Sequence, residues 1–160
     1  MGIVKKTSSK GDVVMGSVFH NVQSVLENYQ SAVHEKNVEK FLSTYASDIH
    51  IYDCWENWEC IGISAWREKA TEWFNSLSDE GVFLKVDFND LVVEADSYIA
   101  FVHGAVTFAA HNEDSGEKLR QITNRFTFGL KKENESWNIK HEHSSLPINI
   151  ETGKGIFNLK

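Results

Sequence analysis

The sequence predicts an α+β domain in which three N-terminal helices pack on a curved antiparallel sheet. Two observations carry this: apolar residues recur at helical spacing through the first half of the chain, and alternate singly with polar residues through the second. A third is the shortness of the polar turns between the later strands. Such turns require antiparallel neighbours, because a parallel pair needs a crossover of about a dozen residues or more.

The elements follow in order. Residues 1–16 lack periodicity and are read as a loose leader; residues 17–160 are read as a single domain. From Ser17, the positions Val18, Val22, Val25, Tyr29 and Val33 mark one face of an amphipathic helix. Asn37 caps a short second helix carrying Phe41, Leu42 and Tyr45. Ile49, Ile51 and Asp53 alternate with their neighbours as a strand, and Trp55 to Ile61 turns back on it. Ile63, Trp66, Ala70, Trp73, Phe74 and Leu77 form the broad apolar stripe of a third helix. After Gly81 the period changes to two: Val82, Leu84, Val86 and Phe88 open a strand. Three more strands are expected over about Tyr98–Ala110, Leu119–Lys131 and Trp137–Ile148. The sole proline, Pro147, sits near the end of the last one, where a missing donor costs least.

Composition narrows the function classes. The 160 residues are 41% hydrophobic and 24% charged, as in an ordinary globule, and their net charge of −7 argues against nucleic acid or an anionic membrane as partner. No stretch approaches the roughly 18 apolar residues of a membrane span, and the N-terminus has no secretory h-region. A cytoplasmic protein is expected, with Cys54 and Cys60 as reduced thiols.

Side chains alternate across a strand, so each long strand sorts into two columns. Val102, Gly104, Val106 and Phe108 oppose Phe101, His103, Ala105 and Thr107. Ile122, Asn124, Phe126, Phe128 and Leu130 oppose Thr123, Arg125 and Thr127. In the last strand unbroken alternation groups Trp137 and Ile139 with His141 and His143, against Lys140, Glu142 and Ser144. Two arrangements are open. The greasy face packs on the helices and the polar face meets water, or the polar face lines a pocket and a second subunit buries the greasy face.

Several residues carry candidate chemistry. Asp53 stands among Tyr52, Trp55 and Trp58, where a poorly solvated carboxylate makes a proton-abstracting base; the alternative is a strand-end Asp in water. Tyr29 lies on the apolar stripe of the first helix, so its hydroxyl needs a partner and can donate to a substrate oxygen. Arg125 is costly in mid-strand unless paired, and Glu142 is the expected partner. His141 and His143 share a strand face without a third ligand, so they are read as structural and no metal is expected. Neither cysteine has an activating base nearby in sequence.

The segment Arg125-Phe126-Thr127, then Trp137-Asn138-Ile139-Lys140-His141-Glu142-His143-Ser144-Ser145 and Pro147, within this order of elements, resembles the SnoaL-like branch of the nuclear transport factor 2-like superfamily. Glu151-Thr152-Gly153-Lys154-Gly155 is similar to the C-terminal tail of its bacterial ketosteroid-isomerase homologues. The resemblance covers about Val18 to Phe157 and marks the fold more than one activity. It implies a cystatin-like cone, a pocket between helices and concave sheet, and a homodimer through the outer sheet face. In ketosteroid isomerases an oxyanion-binding Tyr precedes the base Asp by 24 residues, the separation of Tyr29 and Asp53. Cys54 replaces the proline that follows that Asp, and the second oxyanion acid falls near Asn124 or Arg125. In the association domain of calcium/calmodulin-dependent protein kinase II, the pocket arginines fall at His103, Arg125 and Ser144.

The resulting expectation is a pocket lined by Tyr29, Asp53, His103, Thr107, Arg125, Thr127 and Glu142, with Ser144, Trp55 and Trp58 beside it and no cofactor. A carbonyl- or carboxylate-bearing small molecule would bind there. As an isomerase or cyclase the protein would use Asp53 as base, with Tyr29 and Arg125 holding the oxyanion. The alternatives are a non-catalytic module gripping a small anion with Arg125 and His103, and a pure oligomerisation domain.

Overall fold

The computed structural model describes residues 17–157 and 159, so the leader expected over residues 1–16 lies outside them. The element order is α1 (Val22–Glu35), α2 (Val38–Leu42), β1 (Tyr45–Tyr52), β2 (Cys60–Ile61), α3 (Ile63–Asp79), β3 (Val82–Ala95), β4 (Ile99–Asn112), β5 (Lys118–Glu133) and β6 (Ser136–Ser145). The first helix begins later than its stripe suggests. Asn21 Oδ1 accepts from the Ser24 N–H at 2.8 Å and caps it there, leaving Val18 exposed ahead of the helix. Asn37 caps α2 in the same way, accepting from Lys40 N–H at 3.0 Å. Tyr45, expected on that helix, instead opens β1.

The six strands form one curved, unclosed sheet in the order β2-β1-β6-β5-β4-β3, with the helices on its concave side. All pairs are antiparallel except β1–β6, which is parallel. The turn argument governs only strands joined by short turns; β1 and β6 are separated by α3 and four strands, which supply the long crossover.

The register shifts in four strand pairs, and two of these shifts, in β3 and β6, govern which side chains face inward. In β3 the register slips between Asn89 and Val92, and the displaced backbone crosses closely over β4. Gly104 makes room for it: a Cβ there would lie 2.8 Å from Asn89 O and 2.9 Å from a Leu91 methyl. In β6, Leu130 pairs Ile139 while Gly129 pairs His141, so Lys140 is the extra residue. One inserted residue exchanges the faces of everything beyond it. Trp137 and Ile139 therefore share the concave face with Glu142 and Ser144, all four buried, and His141 and His143 go to the outer face. This corrects the unbroken alternation read from the sequence.

The core settles the two arrangements left open by the strand columns. Val102, Val106, Phe126, Phe128 and Leu130 are buried with the helices, not presented to a second subunit. At its centre Phe41, fully buried, meets the rings of Tyr29, Tyr45, Trp66, Trp73 and Phe74 at centroid distances of 5.1–6.0 Å. Replacing it by alanine leaves a cavity shared by three elements. Phe41→Ala is expected to lower unfolding free energy by roughly 3–5 kcal/mol in urea titrations; a loss below about 1 kcal/mol would show that these rings do not depend on it.

Candidate functional site

The concave face leaves a cavity of about 570 Å³ between α3 and the sheet. The third helix builds one wall, because Trp66, Ala70, Trp73 and Leu77 recur at spacings of four, three and four. Phe108, Ala110, Ile122, Asn124 and Phe126 from β4 and β5 form the opposite wall. Tyr29 from α1, Asp53 just past β1 and Glu142 on β6 all reach the same space. Trp55 borders it near the mouth, and its ring stacks on Phe157 from the C-terminal segment at 5.7 Å. Lys69, Glu72, Glu56 and Arg120 ring the opening, and Arg120 is paired to Glu80 at 2.5 Å.

Asp53 is half-buried and fixed from one side. Its Oδ1 accepts from the Ser144 hydroxyl at 2.8 Å, and Ser144 Oγ accepts from the Cys54 N–H at 2.9 Å. Cys54 Sγ in turn accepts from Asn124 Nδ2 at 3.4 Å. Burial pushes the Cys54 thiol up, so it is held as a neutral packing group rather than a thiolate.

Glu142 is almost fully enclosed. Its Oε2 accepts from the Tyr45 hydroxyl at 2.7 Å, which offsets only part of the cost of charge in this setting. Desolvation, with a smaller push from Asp53, raises its pKa to about 8. The carboxyl is thus predominantly neutral at pH 7 and can act as a donor. Tyr29 is raised well above the usual phenol value by burial first, then by Glu142 and Asp53, and its hydroxyl interacts with that of Tyr45. Two carboxyl groups in one cavity are consequently in contrasting surroundings, one open to the mouth and one enclosed.

The structure does not bring the remaining expected residues to this cavity. Arg125, His103 and Thr127 line a groove on the outer face of the sheet, with Leu146, Pro147 and Ile156. Thr107 is also outside, joined to Thr123 at 2.9 Å and to Asn89 at 3.2 Å. Arg125 cannot pair with Glu142: the β6 bulge turns Glu142 inward, to Tyr45, while Arg125 points out. Trp58 is 88% exposed and does not line the cavity. Ser144 supports Asp53 rather than standing on the cavity wall. His141 and His143 lie on the outer face beside His50 and Tyr52, and among the described residues no three His, Cys, Asp or Glu side chains gather as a metal site. Sequence reasoning misses Tyr45, Trp66 and Trp73 as site residues, and places Asn124 only as one of two positions near the second oxyanion acid of ketosteroid isomerases. Of these, Asn124 also carries a signal of its own, as the one polar residue in an otherwise apolar column.

The enclosed carboxyl sets a pH dependence. An ordinary Glu titrates near 4.5, and Glu142 in the fold near 8. Between these values the unfolded chain has released a proton that the native chain retains. Stability from this group is therefore full below about pH 4.5, falls as pH rises, and levels off above about 8. Glu142→Gln keeps an acceptor for Tyr45 without the ionisation. Denaturant titrations are expected to show the variant gaining on wild type by several kcal/mol from pH 5 to pH 9; parallel curves would contradict the enclosure of this carboxyl.

Comparisons with known proteins agree with this architecture. No curated protein matches the sequence. Among solved structures, an NTF2-like protein of unknown function from Pseudomonas putida KT2440 superposes with a TM-score of 0.71 at 24% identity, covering 87% of this chain and 93% of that one. Aln2 from a Streptomyces species gives 0.67 at 14% identity over 78% and 86% of the two chains. A protein of unknown function with a cystatin-like fold from Nostoc punctiforme PCC 73102 gives 0.57 at 14% identity over 77% and 86%. These likenesses establish the fold alone, a cystatin-like α+β arrangement. The family described as the SnoaL-like domain matches residues 22–149. With four-fifths of its length so matched, the chain belongs to the SnoaL-like domain family.

Proposed function

We propose that the protein binds a small, largely apolar carbonyl compound in the concave cavity and moves a proton beside that carbonyl, as an isomerase or cyclase does. The observation that carries this reading is the meeting of Asp53, Glu142 and Tyr29 in one aromatic-walled cavity of about 570 Å³. Asp53, oriented by Ser144, takes a proton from the carbon next to the carbonyl. The electron pair of that C–H bond moves into the new C–C double bond, and the carbonyl electrons move to oxygen. The neutral Glu142 carboxyl and the Tyr29 hydroxyl are the donors that hold the enolate oxygen. Protonated Asp53 then returns the proton to another carbon, which restores the base. Arg125 has no part in this reading, since it faces the other side of the sheet.

A second reading concerns that outer face, where a second copy of the chain is the occupant we infer. The half-exposed side chains of Val92, Ile99 and Phe101 stand there beside the polar Thr and His columns. No helix of the described residues is long and apolar enough to cross a membrane.

Two experiments follow. Solvent-deuterium incorporation next to the carbonyl of indanone and tetralone, followed by NMR, reads proton abstraction without knowledge of the natural substrate. Asp53→Asn is expected to lower the exchange rate by roughly 10²–10⁴-fold while ligand affinity stays within a few-fold, and Arg125→Ala to leave both unchanged. Exchange that survives Asp53→Asn would remove Asp53 as base. Light scattering after gel filtration is expected to give twice the 18.2 kDa chain mass, and Phe101→Glu to give the monomer; a wild-type monomer would overturn the dimer.

A further inference from the structure

The two oxygens of the Glu142 carboxyl are not equivalent. Oε2 accepts from the Tyr45 hydroxyl at 2.7 Å, whereas Oε1 has no hydrogen-bond partner among the described residues and yet keeps accessible surface. Glu142 lines the cavity, so Oε1 is the atom it presents there. A neutral carboxyl carries its proton on one oxygen only, and which one decides whether the cavity meets a donor or an acceptor.

Tyr45 makes that choice, and its own direction is set from behind. The Trp66 indole lies against the Tyr45 oxygen, short of full hydrogen-bond geometry, and the two rings meet edge-on at 5.9 Å. An indole N–H can only donate, and a phenol has one proton to give. Trp66 therefore occupies the acceptor side of the phenol oxygen and turns the Tyr45 proton toward Glu142. The titratable groups facing Glu142 are Tyr45, Asp53 and, from α1, Tyr29; of these only Tyr45 is hydrogen-bonded to it. In a carboxylic acid the carbonyl oxygen is the better acceptor of the two. The bond from Tyr45 thus makes Oε2 the carbonyl end and leaves the proton on Oε1.

We propose that Tyr45, backed by Trp66, is a positioning residue for the proton-transfer chemistry above: its hydrogen bond to Oε2 assigns the Glu142 proton to Oε1, where it faces the cavity as a donor. This deepens the reading of Glu142 as a holder of the enolate oxygen and rests on it. Without Tyr45 the proton is shared between the two oxygens, and part of the population offers the substrate oxygen a lone pair instead of an O–H. An amide obeys the same rule. In Glu142→Gln, Tyr45 takes the amide oxygen and the NH2 group faces the cavity, so a donor persists.

Infrared difference spectroscopy of the full chain at about pH 6, with Glu142→Gln subtracted to isolate the Glu142 carboxylic C=O stretch, locates the proton without any substrate. Tyr45→Phe, whose ring keeps the contacts with Phe41 and Trp66, should raise that stretch, because the carbonyl oxygen loses its hydrogen bond. The indanone exchange assay supplies the functional arm. Wild-type exchange is expected to fall as pH rises through about 8; Tyr45→Phe, which removes a bond that favours the ionised carboxyl, should move that fall to higher pH and lower the rate below it roughly tenfold. If Tyr45→Phe does not fold, the native background carries the test: Glu142→Gln should lower exchange by less than about tenfold, and Glu142→Leu by roughly 10²–10³-fold. In an exchange-active wild type, a missing carboxylic stretch, a stretch or alkaline fall that Tyr45→Phe leaves unmoved, or equal losses in the two Glu142 variants would each overturn the positioning role alone. A wild type that exchanges neither indanone nor tetralone would overturn the carbonyl reading and this role together.

Discussion

A glutamate side chain can be enclosed by aromatic rings only if something meets its oxygen and something turns it inward. Here one inserted residue does the turning and one phenol does the meeting. Lys140, the extra residue of the β6 bulge, exchanges the two faces of the strand and carries Glu142 and Ser144 to the concave side. Tyr45, at the first position of the strand paired in parallel with β6, supplies the hydrogen bond. Without the bulge the two buried positions would be taken by His141 and His143, and neither the enclosed carboxyl nor the support for Asp53 would exist. The arrangement costs stability at neutral pH, because the enclosed carboxyl keeps a proton that the unfolded chain has released.

The cavity is a consequence of how the helices meet the curved sheet. The α3 stripe covers the concave face, with Trp73 edge-on to Phe108 of β4 at 6.1 Å, and the cavity lies between this helix and β4 and β5. Aromatic side chains supply the walls and a few polar groups supply direction, the usual division of labour in a small-molecule site. The mouth is bordered by mixed charge and by the stacked rings of Trp55 and Phe157, so the C-terminal segment belongs to the entrance as much as to the outer face.

Much of this is legible in the sequence, and the misses have physical causes. Periodicity locates α1, α3 and the four long strands, because each buries one face against a single neighbour. The separation of Tyr29 and Asp53 points to two residues that do border one cavity. Column reading fails on β6, since a two-residue period assumes an unbroken pleat and nothing in Ile139-Lys140-His141 announces the bulge. The expected Arg125–Glu142 pair fails with it. The parallel β1–β6 pairing is hidden because local turns carry no information about strands so far apart in the chain. Helical spacing assigns Tyr45 to α2, since its distance from Phe41 fits a helix as well as the ring contact observed at 5.3 Å.

Asn124 and Arg125 are adjacent in the chain and face opposite sides of the sheet, one toward the cavity and the other toward the outer groove. The same division runs along β4 and β6. Mutational drift on this scaffold is therefore modular at single-residue resolution. Lineages descending from such a domain can exchange the chemistry of the chamber while keeping the outer face, or change the outer face while keeping the chamber, without an insertion and without moving the backbone.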